Sequence, residues 1–388
     1  MDTQAIYFDN NGTTALDQRV LETMLPYLSA QSGNATSRHI FGRSSRQAIE
    51  RAREQVADAT GAHPSQVIFT GSGTEADNLA ICGITAKNGF EKIAVSAIEH
   101  PAISRAAQSM KTHGVVIESI AADTQGKITI DALQDLLSSG NDDKSIGLIS
   151  VMLANNETGA IQDLASIAEI ARKQHAFVHT DAVQALGKMK VNFAELNVHA
   201  MSLSSHKISG PQGAGALILD KRVDIQPLLL GGGQERGLRS GSENVAAIVG
   251  FGAACELISR ELIQRIGSVR QLRDQLEKGL VKLGAVIFGH GADRLANTSF
   301  FAFEGIEGET LVMALDRKGF AVASGSACSS DSTEPSHVLM AMGVDEDLAR
   351  GAIRVSLSNV NTAAQIEAFL LVLEGELSRL RRLTAIAV

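Results

Sequence analysis

The sequence predicts an α/β fold with a large domain, built on a mostly parallel seven-stranded sheet flanked by helices, and a smaller α/β domain toward the C terminus. Two observations support it. The chain has 388 residues, which favours two domains. Between 66 and 219, short apolar runs alternate with helical patterns of about 10–15 residues, which is typical of a parallel sheet covered on both faces.

The elements of the large domain follow from this alternation. A helix is predicted over 15–28 and a second over 45–60. Seven apolar runs are candidate strands: 66–70, 92–97, 115–120, 146–152, 177–180, 200–205 and 214–219. Four further helices are predicted between them, one from Gly71-Ser-Gly-Thr74 to about Asn88 and the others over 101–112, 131–138 and 163–175.

The pattern changes after Gly231-Gly-Gly233. Residues 243–283 form one long helical stretch, in which Gly267 is a candidate break. We place the domain boundary inside that helix, so that residues 15–255 form the large domain and residues 1–14 and 256–388 form the small domain. The small domain is predicted to contain strands at 297–303 and 352–357, helices at 308–318 and 362–382, and a turn-rich segment at 323–335.

Composition excludes several classes of function. The net charge is −8 and no block of Lys or Arg occurs, which disfavours direct binding to nucleic acid or to an anionic membrane. No apolar run approaches the roughly 20 residues of a membrane-spanning helix. The start Met1-Asp-Thr-Gln-Ala5 has no signal-peptide pattern, and three widely spaced cysteines fit a reducing compartment. We therefore expect a cytoplasmic protein.

A lysine at a strand end is the first candidate for chemistry. In Met201-Ser-Leu-Ser-Ser-His-Lys-Ile-Ser-Gly-Pro-Gln-Gly213, a strand pattern leads to Lys207 and then to a tight turn. Such an amine can form a Schiff base with an aldehyde cofactor or substrate. A lysine taken alone is more often simply solvated.

A glycine-rich loop is the second candidate. Gly71-Ser-Gly-Thr-Glu-Ala76 joins a strand to a helix, where backbone N–H groups can bind a phosphate. Gly73 and Thr74 would line such a site. The loop also fits the G-x-G-x-x-A pattern, so a nicotinamide cofactor competes with this reading, as does an ordinary turn.

Two further side chains come at strand ends. Asp181 ends the strand Phe177-Val-His-Thr-Asp181, so it would point into the ligand crevice, although it could simply cap a helix. His100, in Glu99-His-Pro101, could stack on a flat cofactor or move protons, although it could equally be a helix-start residue.

Of the three cysteines, only Cys328 has a polar, flexible setting, Ala323-Ser-Gly-Ser-Ala-Cys-Ser-Ser330, and is a plausible thiolate nucleophile. Cys82 and Cys255 occupy apolar helical stretches and are predicted to be structural. Arg354 interrupts an apolar strand, so it needs either a ligand carboxylate or an internal salt bridge. No metal-binding motif is present.

Taken together, these motifs resemble the cysteine desulfurases of the NifS/IscS type, which are fold-type-I pyridoxal-phosphate enzymes. The resemblance covers most of the chain, from Tyr7 to about Leu357. It rests on Tyr7-Phe-Asp-Asn-Asn-Gly-Thr-Thr14, Gly73-Thr-Glu-Ala-Asp-Asn78, Glu99-His100, Asn155-Asn-Glu-Thr-Gly159, His179-Thr-Asp-Ala-Val-Gln184, Ser204-Ser-His-Lys-Ile-Ser-Gly-Pro-Gln-Gly213, Arg239-Ser-Gly-Ser-Glu-Asn244, Ser324-Gly-Ser-Ala-Cys328 and Arg354.

The resemblance implies a role for each matching residue. Lys207 would hold pyridoxal 5'-phosphate covalently and Cys328 would take the sulfur from the substrate. Around the cofactor, the implied contacts are Asp181 to the ring nitrogen, Gln184 and Asn155 near the ring hydroxyl, His100 on the ring face, and Gly73, Thr74, Ser204 and His206 at the phosphate. Ser242 would reach the phosphate in a partner subunit, which implies a homodimer. Asn34 and Arg354 would bind the carboxylate of L-cysteine.

The implied reaction converts L-cysteine to L-alanine and leaves a persulfide on Cys328 for a sulfur-acceptor protein, with iron–sulfur cluster assembly as the expected pathway. The chain departs from the family pattern in three places. The loop Gly33-Asn-Ala-Thr-Ser-Arg-His39 lacks the usual proline, a serine at 242 replaces the usual threonine, and the scaffold-docking tail is not recognisable before Thr384-Ala-Ile-Ala-Val388. The last departure leaves the acceptor open.

Other readings compete with this one. A selenocysteine lyase or an aminotransferase would use the same cofactor, although transamination needs no thiol. A nicotinamide-dependent oxidoreductase would use the glycine-rich loop and no covalent lysine. A non-catalytic relative would have no need to keep Lys207, Asp181 and Cys328 together.

Overall fold

The computed structural model describes residues 5–138, 145–325 and 334–386. Its central feature is a seven-stranded sheet with the order β2-β8-β7-β6-β5-β3-β4. The predicted α/β class and the predicted sheet are confirmed. No helix in the described part of the chain has the length and apolar composition needed to cross a bilayer.

The strands lie close to the predicted positions. Those of the large sheet are β2 (Val67–Thr70), β3 (Lys92–Ser96), β4 (Val116–Ile120), β5 (Leu148–Ser150), β6 (Phe177–Asp181), β7 (Ala200–Ser204) and β8 (Gly215–Leu219). The remaining strands are β1 (Ile6–Tyr7), β9 (Val286–Ile287), β10 (Thr298–Ala302), β11 (Phe320–Ala321), β12 (Ala323–Ser324) and β13 (Ile353–Ser356).

Helices flank the seven-stranded sheet and the smaller four-stranded sheet of the C-terminal part. They are α1 (Gln18–Ser29), α2 (Ile40–Thr60), α3 (Gly73–Asn78), α4 (Ile84–Asn88), α5 (Pro101–Met110), α6 (Ile130–Ser138), α7 (Leu164–Lys173), α8 (Phe193–Leu196), α9 (Val245–Lys282), α10 (Gly308–Asp316), α11 (His337–Ala341), α12 (Glu346–Arg350) and α13 (Ala363–Ile386). A π-helical segment, Leu79–Gly83, joins α3 to α4.

Strand direction places the functional residues at one edge of the sheet. Strands β3 to β7 run parallel, whereas β8 is antiparallel to both β7 and β2. The carboxyl ends of β3, β6 and β7 therefore meet at the same edge. His100 and Lys207 follow the ends of β3 and β7, and Asp181 is the last residue of β6.

The small sheet has the order β12-β13-β10-β9, and β1 pairs in parallel with β11. The N-terminal strand thus pairs with a strand of the C-terminal part of the chain. Helix α9 is continuous through Gly267, against the break expected there. Along this helix, Ile258 belongs to the core under the large sheet and Val269 to the core of the small sheet. The boundary at residue 255 stays a prediction.

The sequence missed the shortest elements. Helices α11 and α12 fall between the predicted turn-rich segment and the last strand, and β9 precedes the strand predicted at 297–303. Five-residue helices and two-residue strands are too short to show a hydrophobic period. Tertiary packing therefore determines them.

The segment that leads to Ser242 is held to α2 by a buried ion pair and to β2 by a hydrogen bond. Glu235 accepts two hydrogen bonds of 2.8 Å from the guanidinium of Arg53 and one of 2.9 Å from the backbone N–H of Phe69. Glu235 and Arg236 both adopt the left-handed region, with φ of 45° and 61°. Non-glycine residues rarely adopt this conformation, so the ion pair helps to hold it.

We expect Glu235→Ala to lower the free energy of unfolding by roughly 3–5 kcal/mol, because it leaves the Arg53 guanidinium buried without its partner. The matched control is Glu50→Ala, which removes the other carboxylate of Arg53. Its side chain is 56% exposed, against 3% for Glu235, so its loss should cost less than about 1 kcal/mol. Urea unfolding measures both, and equal losses would contradict the assignment.

Candidate active site

A cavity opens at the carboxyl edge of the large sheet. It contains eight of the predicted site residues, drawn from β-strand ends, the start of α3 and the start of α5. The lining residues are Ser72, Gly73, Thr74, Asp77, His100, Met152, Asn156, Asp181, Val183, Gln184, Ser204, His206 and Lys207. The fold thus brings most of the predicted constellation to one place.

The amine of Lys207 is held by the N-terminal loop. Strand β7 ends at Ser204, and one 3-10 turn, Ser205–Lys207, carries the lysine to the cavity. Its Nζ donates to the backbone carbonyls of Asn11 and Gly12 at 2.6 Å each. The predicted placement of Lys207 at a strand end is confirmed, and its contacts with the N-terminal loop are new.

One end of the cavity suits a phosphate. Ser72 caps the helical run that begins at Gly73, and its Oγ accepts the N–H of Glu75 at 3.0 Å. The buried hydroxyl of Ser204 has no hydrogen-bond partner among the described residues. A Cβ on Gly73 would lie 2.9 Å from Val183 Cγ2 and 3.1 Å from Ser204 Cβ, so only glycine leaves this space open. Backbone N–H groups and a spare hydroxyl fit an anion.

Asp181 lies on the cavity floor and suits a cation. Its Oδ1 accepts the backbone N–H of Val183 at 2.8 Å, which leaves Oδ2 for a ligand. Burial raises the pKa of Asp181 to about 6. A protonated ring nitrogen beside the carboxylate would supply the positive charge that this buried group lacks. The residues present therefore fit the two ends of pyridoxal phosphate.

His100 is both a helix cap and a cavity residue. Its Nδ1 accepts the backbone N–H of Ala102 at 3.1 Å at the start of α5. Burial, followed by the positive charge of Lys207, lowers the pKa of His100 to about 4. The imidazole is therefore neutral at pH 7 and carries its proton on Nε2. The two readings of this histidine are compatible.

Two buried carboxyl groups near Asp181, those of Asp77 and Glu99, were not predicted from the sequence to be site residues. Glu99 Oε1 accepts Ser96 Oγ at 2.5 Å and the N–H of Met152 at 2.7 Å, while Oε2 has no partner in the described structure. Burial raises the pKa of Glu99 to about 8, and burial together with Asp181 raises that of Asp77. Glu99 and Asp77 lie inside two of the motifs that carry the family resemblance, Glu99-His100 and Gly73–Asn78. Nothing else in the sequence pointed to them.

The two amides predicted near a ring hydroxyl lie in different settings. Gln184 lines the cavity, and its Nε2 donates to the carbonyl of Asn11 at 3.0 Å. Asn155 is fully buried and holds a turn: Oδ1 accepts the N–H groups of Glu157 and Thr158 at 2.9 Å, and Nδ2 donates to Ile98 at 3.0 Å. Its contact with a cofactor stays a prediction.

Arg354 has an internal salt bridge. Its Nη2 lies 2.6 Å from Asp9 Oδ1 and its Nη1 donates to the carbonyl of Asn156 at 3.1 Å. Its buried Nε has no partner among the described residues. Because Asn156 lines the cavity, the guanidinium lies at the cavity edge, and its Nε–H is without a partner among the described residues.

Two predicted residues lie on the surface of this chain. Asn34 is exposed, and its Oδ1 accepts both the N–H of Thr36 at 2.9 Å and its hydroxyl at 2.7 Å. Ser242 is also exposed. Neither is among the residues that line the cavity, so their predicted contacts with substrate and with a partner's cofactor stay predictions.

Cys328 lies outside the described residues. The other two cysteines are free; Cys255 is buried on α9 and Cys82 lies in the π-helical segment. Burial raises the pKa of both thiols, so neither is a ready thiolate at neutral pH. Their predicted structural role fits this.

One other sequence interpretation is decided by the structure. The glycine-rich loop follows β2, which is antiparallel to its neighbour β8 rather than part of a parallel βαβ unit. The nicotinamide reading required such a unit and is wrong. Among the described residues no cluster of side chains could hold a metal ion.

Comparison with known proteins agrees with this geometry. The chain matches the aminotransferase class-V family over residues 6–369. A cysteine desulfurase IscS from Methanosarcina thermophila is 41% identical over 386 residues, which is 99% of this chain and 94% of the relative. A solved NifS-like protein is 37% identical, with a TM-score of 0.90 over 97% of this chain and 100% of that chain. A structure of SspA in complex with cysteine is 30% identical, with a TM-score of 0.80 over 92% and 99%.

We expect Glu99→Gln to stabilise the cofactor-free protein increasingly as pH rises from about 5 to 8. The folded pKa of Glu99 lies above its ordinary value, so its ionisation opposes folding. That cost is absent below the unfolded pKa and complete above about pH 8. Melting temperatures over this range measure the difference. Glu54→Gln, which removes an exposed carboxylate, is the matched control, and a flat difference for Glu99→Gln would contradict the argument.

Proposed function

The chain belongs to the aminotransferase class-V family, and from that premise we infer that it is a cysteine desulfurase, which removes the sulfur of L-cysteine and leaves L-alanine. Full-length relatives with this activity support the inference. The main supporting observation is that one cavity contains Lys207, Asp181 and the residues around Gly73 and Ser204 that suit a phosphate. A covalent aldehyde cofactor needs these three groups together.

The cofactor that fits is pyridoxal phosphate. When bound, it supplies an electron-withdrawing ring that makes the substrate Cα–H acidic. Lys207 would bind it covalently, and Thr74, Ser204 and His206 would hold its phosphate. Asp181 would keep the ring nitrogen protonated, and losing such a charge-assisted hydrogen bond costs roughly 1.5–3 kcal/mol.

His100 and Lys207 would handle protons. The neutral imidazole of His100 lies in the same cavity as the Lys207 amine, and burial keeps it unprotonated at physiological pH. Because Nδ1 accepts the Ala102 N–H, the neutral imidazole would present Nε2–H as a hydrogen-bond donor, and it would take up a proton at Nε2 only in its other tautomer. Asn11 and Gly12 would hold the lysine amine in place whenever it is not bonded to the cofactor.

Arg354 would bind the carboxylate of the substrate. Its unpartnered Nε–H and one terminal N–H form the planar fork that a carboxylate accepts. The ion pair with Asp9 is the competing contact, because it uses Nη2. Asp9 would thus hold the guanidinium in position before the substrate arrives, and Asn34 would assist at the carboxylate.

Cys328 would be the sulfur acceptor. Its thiolate would attack the substrate sulfur as the C–S bond breaks, so that L-cysteine and the thiol give L-alanine and a persulfide. The segment that carries Cys328 begins after β12, and Ala323 in β12 pairs with Arg354 in β13. The chain therefore leaves the small sheet after Ser324, next to the proposed substrate clamp.

We also propose a cytoplasmic homodimer that passes sulfur to an acceptor protein, with iron–sulfur cluster assembly as the pathway. The segment before Ser242 exposes Leu228, Leu229 and Leu230, the last to 82%, and Ile40 and Phe41 at the start of α2 are also exposed. Apolar side chains exposed in this way favour a protein partner. Ser242 would then reach the phosphate in the partner subunit.

We expect the purified protein to be yellow and borohydride to fix the cofactor on Lys207. Peptide mass spectrometry locates the label, and Lys188, a second amine near the same loop, serves as the internal control that stays unlabelled. A colourless protein that gains no visible absorbance with added pyridoxal phosphate would remove the proposed cofactor.

We expect Cys328→Ser to bind cysteine, seen as a change in the visible spectrum, but to release essentially no alanine or sulfide. A serine hydroxyl is a far weaker nucleophile than a thiolate and cannot hold a persulfide. Cys82→Ser and Cys255→Ser should remain active, with at most a loss of stability from the buried hydroxyl. Intact-mass analysis without reductant checks the added sulfur, and full activity of Cys328→Ser would exclude it as the nucleophile.

A further inference from the structure

Lys188 is a partly buried lysine for which the proposed reaction has no use. It follows Gly187 in a pair of tight turns after β6. Gly187 has a φ of 75°, and a Cβ there would lie 2.8 Å from Ile208 Cγ2. Only glycine fits this turn, which brings the lysine amine back onto Gln184 and the N-terminal loop.

The amine makes two side-chain contacts. Its Nζ donates to Gln184 Oε1 and to Asn11 Oδ1, the latter at 2.9 Å. Asn11 Oδ1 also accepts Asn297 Nδ2 at 2.9 Å, and Asn11 Nδ2 donates to Thr298 Oγ1 at 2.8 Å. All these contacts are consistent with one assignment of the oxygen and nitrogen in the side-chain amide of Asn11.

These contacts fix the orientation of Gln184. An amide side chain can be turned end for end at little cost when its neighbours both donate and accept. Here Lys188 donates to one end, so that end is the oxygen. The nitrogen, Nε2, is the other end of the amide and donates to the carbonyl of Asn11 at 3.0 Å. Gln184 is one of the residues that line the cavity.

The same carbonyl links this group to the candidate cofactor lysine. Asn11 O accepts both Gln184 Nε2 and Lys207 Nζ, the latter at 2.6 Å. The backbone carbonyl of Asn11 thus helps to position both Gln184 and Lys207. Lys188 in turn binds the side chain of Asn11. Moving Lys188 would release the amide of Gln184 and loosen Asn11.

We propose that Lys188 is a positioning residue that holds the Gln184 amide with Nε2 turned to the cavity, where it donates a hydrogen bond to the ring hydroxyl oxygen of the bound cofactor. The inference rests on the proposed function, since it needs the cofactor in this cavity. The charged groups near Lys188 are Lys207, Arg354 and Asp9. Two N–H groups suffice for its two contacts, so the role holds for a charged or a neutral amine.

The test is a pH titration of the visible absorbance of the cofactor-loaded protein. A donor on the ring oxygen favours the deprotonated form of the chromophore, in which the oxygen carries its full charge. We expect Lys188→Met to raise the midpoint by about half to one pH unit, which is the effect of losing one hydrogen bond. Lys188→Arg retains donors and should restore most of the shift.

Three further variants separate positioning from a general structural role. Lys190→Met removes an exposed lysine two residues away and should leave the midpoint unchanged. Lys188→Gln, one atom shorter than lysine, should behave as Lys188→Met does and serves if the methionine variant does not fold. In a Gln184→Ala background, Lys188→Met should produce no further shift, because it acts through Gln184.

The outcomes distinguish a failure of the positioning role of Lys188 from a failure of the proposed function. A yellow Lys188→Met protein with the parent midpoint would overturn the positioning role and leave the cofactor site standing. A shift that persists in the Gln184→Ala background would overturn it too, since the effect would then bypass the amide. A parent protein that binds no cofactor would instead remove the proposed function itself.

Discussion

The hydrogen bonds from Lys207 Nζ to the carbonyls of Asn11 and Gly12 join the parts of the chain that build the site. The loop that supplies these carbonyls follows β1, which pairs with β11 of the C-terminal part. The lysine itself follows β7 of the large sheet. Lys207 therefore keeps its place only while the N-terminal loop lies across the sheet edge, and Thr14 reinforces this by donating to the carbonyl of His206 at 2.8 Å.

The cavity is electrostatically incomplete without a ligand. Asp181, Asp77 and Glu99 are buried close together, and burial raises the pKa of each. The Ser204 hydroxyl, meanwhile, has no partner in the described structure. Buried groups of this kind oppose folding unless a ligand compensates them. A phosphate at one end and a protonated ring nitrogen at the other would supply what both ends lack.

The proposed substrate clamp and the candidate cofactor lysine lie at the edge of the same cavity. Arg354 lies on β13 of the small sheet, yet it contacts Asn156, which lines the cavity at the edge of the large sheet. Its salt bridge with Asp9 reaches the N-terminal loop that also holds Lys207. The loop from Asp9 to Thr14 is thus the common neighbour of the candidate cofactor lysine and the proposed carboxylate clamp.

The sequence by itself determined the large sheet, the strand-end positions of Lys207 and Asp181, and the glycine-rich turn before α3, because these follow from local hydrophobic periods and turn chemistry. It could not determine which side chains meet. Asn11 lies 196 residues from Lys207, and Arg354 lies 345 residues from Asp9. Only the tertiary structure decided these contacts, the orientation of the Gln184 amide and the raised pKa of Glu99, since burial and hydrogen bonding depend on neighbours that are distant in the chain.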